Sequence, residues 1–139
     1  MGKMQLVPFI NFQGRARDAM QFYQHVLGGT LELHTANEKG ERRPAGTGDR
    51  VTDGQLDADG LRIVATDGHP SYPATVGDHM ALSLSGTDKA RLTKIFSNLA
   101  EGGKVQMPLT KLAWGAEVGW LKDKFGVSWT VSIDGTPSF

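Results

Sequence analysis

Cysteine is absent from the 139 residues. That excludes a disulfide framework, a thiol nucleophile and a cysteine zinc site, and leaves an ordinary apolar core to hold the fold. Net charge is absent as well. The 15 Lys and Arg are scattered among 15 Asp and Glu, without the massed charge of a nucleic-acid or acidic-membrane binder. No stretch approaches the roughly 18 apolar residues of a membrane-spanning helix. Residues 1–10 lack the apolar core and small-residue cleavage site of a secretory signal. Met1-Gly2 opens like an acylation signal, but Leu6 stands where that signal needs Ser or Thr. These absences predict a soluble cytoplasmic protein with neither a nucleic-acid nor a membrane partner.

Glycine, by contrast, is plentiful, with 18 residues, and it punctuates a repeating order. Leu6 to Phe12 is too short an apolar run for a helix and reads as a strand. After Gly14, positions Ala16, Ala19, Met20, Tyr23, Val26 and Leu27 share one helical face, and Gly28 ends the helix. Leu31 and Leu33 then alternate as a strand. Residues 37–50 are polar, with Pro44, and read as a mobile surface loop or a lid. Val51 to Ala58 and Leu61 to Thr66 form a hairpin about Asp59-Gly60. Asp67 to Gly77 has a linker's composition.

The same order then returns. His79 to Ser85 alternates as a strand, Thr87 caps a helix with Asp88 in its first turn, and Leu92, Ile95, Phe96 and Leu99 form the buried stripe. Gly102-Gly103 stops that helix, Val105 and Met107 begin a strand, and Glu117 to Lys122 and Val127 to Ile133 close a second hairpin. Two copies are too few for a solenoid, which predicts that they pair into one globule.

Alternation places side chains at every second position on one face. Met80, Leu82 and Leu84 should pack under a helix, leaving His79, Ala81 and Ser83 on the other side. Val127, Trp129, Val131 and Ile133 take the core side of the last strand, and Ser128, Thr130 and Ser132 take the other. These polar faces either line a shared cup for a small ligand or simply meet water. Periodicity leaves both readings open.

Two βαβββ modules of this length, with Asn11-Phe12 leading into a helix that ends Phe22-Tyr23 and Leu27-Gly28-Gly29, resemble the vicinal oxygen chelate superfamily of glyoxalase I, extradiol dioxygenases and bleomycin-resistance proteins. Phe9-Ile10-Asn11-Phe12, Trp114-Gly115 and Asp123-Lys124-Phe125-Gly126-Val127-Ser128-Trp129 resemble its PhnB-like branch. The likeness runs from about Leu6 to Ile133. It implies an α+β fold, one glyoxalase/bleomycin-resistance-like domain over residues 1–139. Module 1 covers about 5–67, a linker 68–77 and module 2 about 78–134, and curved antiparallel and mixed sheets form the cup. Metal-using members hold the ion with one His or Glu from each of four strands, positions that fall here on Pro8, Val64, His79 and Thr130. Only His79 matches, so no metal or other cofactor is expected, with a divalent ion as the alternative. PhnB-like proteins have been associated with ubiquinone-pathway methyl transfer, but no nucleotide signature stands here: Gly46-Thr47-Gly48 lacks the third glycine of a dinucleotide loop.

The cup candidates are His79, Ser83, Arg62, Thr130, Ser128, Trp114 and Glu117. A neutral imidazole at His79 can accept a proton or ligate. Arg62 alternates with Val64 and Thr66, where a guanidinium can clamp a carboxylate or phosphonate. Glu117 brings a carboxylate whose face its neighbours Ala116 and Val118 do not fix. Trp114, with Trp120 and Tyr72, reads as an aromatic wall or as packing. His25, His34 and His69 have no ligand spacing and read as surface residues. The leading expectation is a homodimeric binder of a small organic molecule, whether or not it catalyses a reaction. A metal-dependent lyase, isomerase or dioxygenase, and a non-catalytic dimeric interaction module, stand beside it.

Overall fold

In each half of the chain one helix packs on one face of a mixed sheet whose first strand lies parallel to its last, giving an α+β architecture. The computed structural model describes residues 4–71 and 73–134, so the Met1-Gly2 start and Tyr72 of the sequence reading lie outside the described residues. The chain divides into two units, Met1–Thr75 and Val76–Phe139.

The first unit contains β1 (Phe9–Asn11), α1 (Ala16–Leu27), β2 (Thr30–Ala36), β3 (Arg42–Pro44), β4 (Asp53–Ala58) and β5 (Leu61–Thr66), with the sheet order β1-β5-β4-β2-β3. The second contains β6 (Leu82–Gly86), α2 (Lys89–Leu99), β7 (Lys104–Lys111), β8 (Glu117–Lys122) and β9 (Ser128–Ile133), in the order β6-β9-β8-β7. With β3 removed the two orders are the same.

Helix α1 buries Ala16, Ala19, Met20, Tyr23 and Leu27 against the sheet and ends at Gly28, whose φ of 77° is open to a residue without a Cβ. Its first turn has no cap from its own segment. Instead Asp67, directly after β5, accepts the Ala16 N–H through Oδ1 and the Val51 N–H through Oδ2, each at 2.8 Å. A residue read as linker is thus the long-range cap of the first helix. Helix α2 buries Leu92, Ile95, Phe96 and Leu99. Its cap is Asp88 rather than Thr87, with the carboxylate accepting from the Arg91 N–H. The helix stops at Leu99 with Ala100 as C-cap, before Gly102-Gly103.

Several expected boundaries move. The first strand is only Phe9–Asn11, paired with Val64 to Thr66; Pro8, with no N–H to give a ladder, directly precedes it, and Leu6 stays fully exposed. Residues 37–50 contain β3, which pairs antiparallel with β2 across a turn closed by the Asn37 N–H to the Glu41 carbonyl. The Asp59-Gly60 turn places its positive φ on Gly60 alone. Strand β6 begins at Leu82 rather than His79, since its partner β9 begins at Ser128; Met80 therefore lies outside the strand and is 76% exposed instead of packing under the helix.

The register sorts the two faces of each sheet. In the first, Leu31–Leu56–Ile63 and Leu33–Gly54–Ala65 are rows on the α1 side. In the second, Leu82–Trp129–Leu121 and Leu84–Val131–Gly119 are rows on the α2 side, with Trp129 and Val131 at the centre of that core.

Candidate functional site

On the first sheet, the face opposite α1 carries a charged lattice. Glu32, Gln55 and Val64 form one row and Thr30, Asp57 and Arg62 the next. Arg62 donates from Nε to Asp57 Oδ1 at 2.6 Å and from a terminal nitrogen to Gln5 at 3.4 Å, while Gln55 donates to the other Asp57 oxygen at 2.6 Å. The hydrogen bond from Arg62, then that from Gln55, holds the Asp57 carboxyl below its usual range. Arg62 thus takes the face the alternation predicts, with its guanidinium already engaged.

A second cluster on this face joins three strands. Arg42 of β3 holds Asp53 of β4 through two hydrogen bonds, from Nε at 3.3 Å and from a terminal nitrogen at 2.7 Å. That terminal nitrogen also lies 3.0 Å from His34 Nδ1 on β2. Since a guanidinium only donates, Nδ1 is the acceptor here and the imidazole carries its proton on Nε2. The hydrogen bond to Asp53 raises the Arg42 pKa. The sequence alone leaves His34 an isolated surface residue, because nothing in linear spacing announces a partner on β3.

On the second sheet, the face opposite α2 is rich in hydroxyls and carries two lysines along one side. Ser83, Thr130, Trp120 and Met107 make the central row. Ser85, Ser132, Val118 and Thr110 flank it on one side, and Ser128, Lys122 and Lys104 on the other. Ser83 and Ser85 are exposed, Thr130 is half-buried, and Ser128 and Ser132 are buried. Two extra residues in β7, one between Val105 and Met107 and one between Met107 and Thr110, bring Met107 opposite Trp120. Lys122 and Ser132 share a face with the predicted Ser128 and Thr130. The alternation of Val118, Trp120 and Lys122 against Glu117, Gly119 and Leu121 carried that signal, once Leu121 is known to face Trp129.

The remaining predicted residues lie elsewhere. Glu117 pairs with Ile133 on the α2 side, and its carboxylate accepts from Lys89 Nζ of α2 at 2.8 Å. The register, not the neighbours, fixes its face. Trp114, 57% exposed, sits in the β7–β8 turn that closes from the Leu112 N–H to the Ala116 carbonyl, with Gly115 at φ 104°. His79 is exposed in the segment before β6. A cleft of about 240 Å³ opens at the end of the first sheet beside Asn11, Arg50, Asp67 and His69.

The positions where the superfamily would bind a metal do not fit one. Pro8 and Val64 have no side-chain donor, and the Pro8 carbonyl is occupied by the Val64 N–H at 3.0 Å. Thr130 offers a neutral hydroxyl and His79 one imidazole, short of the several N or O ligands a divalent ion needs. Among the described residues no three His, Asp or Glu side chains gather.

Conserved architecture appears on comparison with known proteins. The family model described as 3-demethylubiquinone-9 3-methyltransferase matches residues 4–132. Protein YjdN of Escherichia coli (strain K12) is 28% identical over 141 residues, covering 94% of this chain and 95% of its own. The crystal structure of protein PA1353 from Pseudomonas aeruginosa superposes with a TM-score of 0.80 at 36% identity, over 95% of this chain and 98% of that one. A PhnB protein from Bacillus cereus gives 0.74 at 24% identity, over 94% and 100%. A glyoxalase/bleomycin resistance protein from Albidiferax ferrireducens T118 gives 0.59 at 13%, over 93% and 98%, a likeness of fold alone.

Proposed function

This chain belongs to the 3-demethylubiquinone-9 3-methyltransferase family, the PhnB-like branch of the glyoxalase/bleomycin-resistance fold, and from that premise we propose that it binds a small organic molecule without a superfamily metal centre. One observation carries the reading. Each sheet turns its apolar rows to its own helix and its polar side chains to the opposite face, where Arg62 stands on β5 and Ser83, Ser128 and Thr130 stand on β6 and β9. Convergent polar groups on a curved sheet are the usual lining of a ligand site.

In this reading Arg62 serves the face of the first sheet and Ser83, Ser128 and Thr130 serve that of the second, with Glu117 serving helix α2 rather than the ligand. The protein works in the cytoplasm as a homodimer, which gives the exposed side chains of Phe9, Met80 and Trp114 an apolar partner. No helix of the described residues is long and apolar enough to cross a membrane.

The test is a thermal-shift screen of small organic acids, alcohols and heterocycles against the full chain, repeated with Thr130→Val and Arg62→Leu. Binding that raises the Tm of the parent and is weakened in either variant supports the proposal. Hits that ignore both substitutions would overturn it, and a stoichiometric tightly held divalent ion would return the metal-dependent lyase, isomerase or dioxygenase reading.

A further inference from the structure

We propose that the face of the second sheet opposite α2 recognises a planar organic anion carrying a second oxygen at its far end, a hydroxyaryl carboxylate or a molecule of that chemistry. The inference rests on the small-molecule reading above and adds the ligand's class. Three features of one face define it.

The first is charge. The strands β6 to β9 contain a single carboxylate, Glu117, and it lies on the α2 side bound to Lys89. On the opposite face Lys122 and Lys104 pair across β8 and β7, next to Ser128. Within these strands two ammonium groups and a hydroxyl share the face with no acid, Asp134 following only past the Ser132 end, so the Lys122 end attracts an anion and its donors match the anion's oxygens.

The second is a flat apolar platform. Trp120 is 44% exposed in the row beside the Lys122 row, between Thr130 and Met107. Trp120 and Lys122 are alternate residues of one strand, about 7 Å apart. A ring stacked on the indole therefore brings a carboxylate within reach of a flexible lysine stem.

The third is an unmet hydroxyl. Ser132, 2% exposed beside exposed Ser85, has no hydrogen-bond partner for its Oγ among the described residues. A buried polar atom without a partner is costly, and such atoms commonly mark a site where a ligand or water completes the network. Ser132 lies on the far side of Trp120 from Lys122. Ser128 and Ser132 stand about 13 Å apart along β9, a span that a two-ring acid and the lysine arm cover together.

Isothermal titration of the full chain with three compounds tests each end of the face: 6-hydroxy-2-naphthoate, 2-naphthoate, and the neutral 6-(hydroxymethyl)-2-naphthol. The hydroxy acid should bind about tenfold more tightly than the neutral diol and a few-fold more tightly than 2-naphthoate. Lys122→Met should erase the first preference. Ser132→Ala should erase the second while leaving the Tm of the free protein unchanged or higher, which a structural hydroxyl would not do. Trp120→Leu, at an exposed position, should weaken all three and guards against a Ser132 variant that fails to fold. Equal binding of acid and diol, with Trp120→Leu still weakening both, would overturn the anion assignment and leave the small-molecule reading standing. No binding by any of the three, or binding indifferent to Trp120→Leu and Ser132→Ala, would overturn the assignment of this face altogether.

Discussion

Asp123 shows how much of this fold depends on single carboxylates. It is 3% exposed, and it accepts the N–H groups of Phe125 and Val127 through one oxygen and the Trp129 indole N–H through the other, at 2.8 to 3.0 Å. The same side chain shapes the β8–β9 turn and anchors the largest core residue. Asp123→Ala leaves a buried indole donor and two turn amides unmet, and should cost about 2–4 kcal/mol, read as a fall in Tm. Asp57 and Asp49 act more weakly. Hydrogen bonds from Arg62 and then Gln55 lower the Asp57 pKa, and the Gly46 N–H followed by Arg43 lowers that of Asp49. A carboxyl whose folded value lies below its unfolded value stabilises the fold above the unfolded value, near pH 4, and the gain is lost as pH falls through the lower folded value. Below about pH 4 the Tm of the parent should therefore fall more steeply than that of Asp57→Asn; parallel curves would show that these exposed pairs contribute nothing.

Strands and helices were legible wherever periodicity alone decides them. The buried stripes of α1 and α2 emerge as Ala16, Met20, Tyr23 and Leu27, and as Leu92, Ile95, Phe96 and Leu99, because 3.6-residue spacing is a local property. Strand limits are not local. His79-Met80-Ala81 continues the alternation of Leu82 to Ser85, but β9 supplies no partner there, and Glu117 could be assigned a face only once Ile133 was known to lie opposite it. Asp67 looked like any polar residue after a strand, since a cap reaching Ala16 from 51 residues away leaves no signature in spacing. The Gly-Gly pairs aligned the two modules, and the structure supplies a second reason for them. A Cβ on Gly29 would collide with the Asp57 carbonyl, and one on Gly103 with the Lys122 carbonyl, so the second glycine of each pair lets its strand cross closely over the neighbouring hairpin. Gly29→Ala, which also carries a φ of 93°, and Gly103→Ala should each destabilise by about 2 kcal/mol or more in chemical denaturation. Glu117→Gln, by contrast, removes a surface ion pair with Lys89 and should shift stability by under about 1 kcal/mol while leaving ligand binding intact.

At the scale of the molecule, the donor set predicts that the purified protein holds sub-stoichiometric metal by elemental analysis, and that Zn, Ni, Mn and Fe(II) leave its Tm unchanged. Sedimentation at twice the chain mass would support the homodimer, and a monomer at all concentrations would contradict it. One asymmetry separates the otherwise matching sheets, the added strand β3 on the outer edge of the first. Its three residues, Arg42, Arg43 and Pro44, are all exposed, and one of them has no N–H to offer a neighbour. The corresponding edge of the second sheet, β7, is kinked by its two extra residues around Pro108. A duplicated β-protein has twice as many outer borders along which stray chains can stack into fibrils. Here the β3 and β7 borders, two of the four, are spoiled as templates, one by cations and proline and the other by irregular pleating, so crowding should not drive edge-to-edge aggregation through either of them.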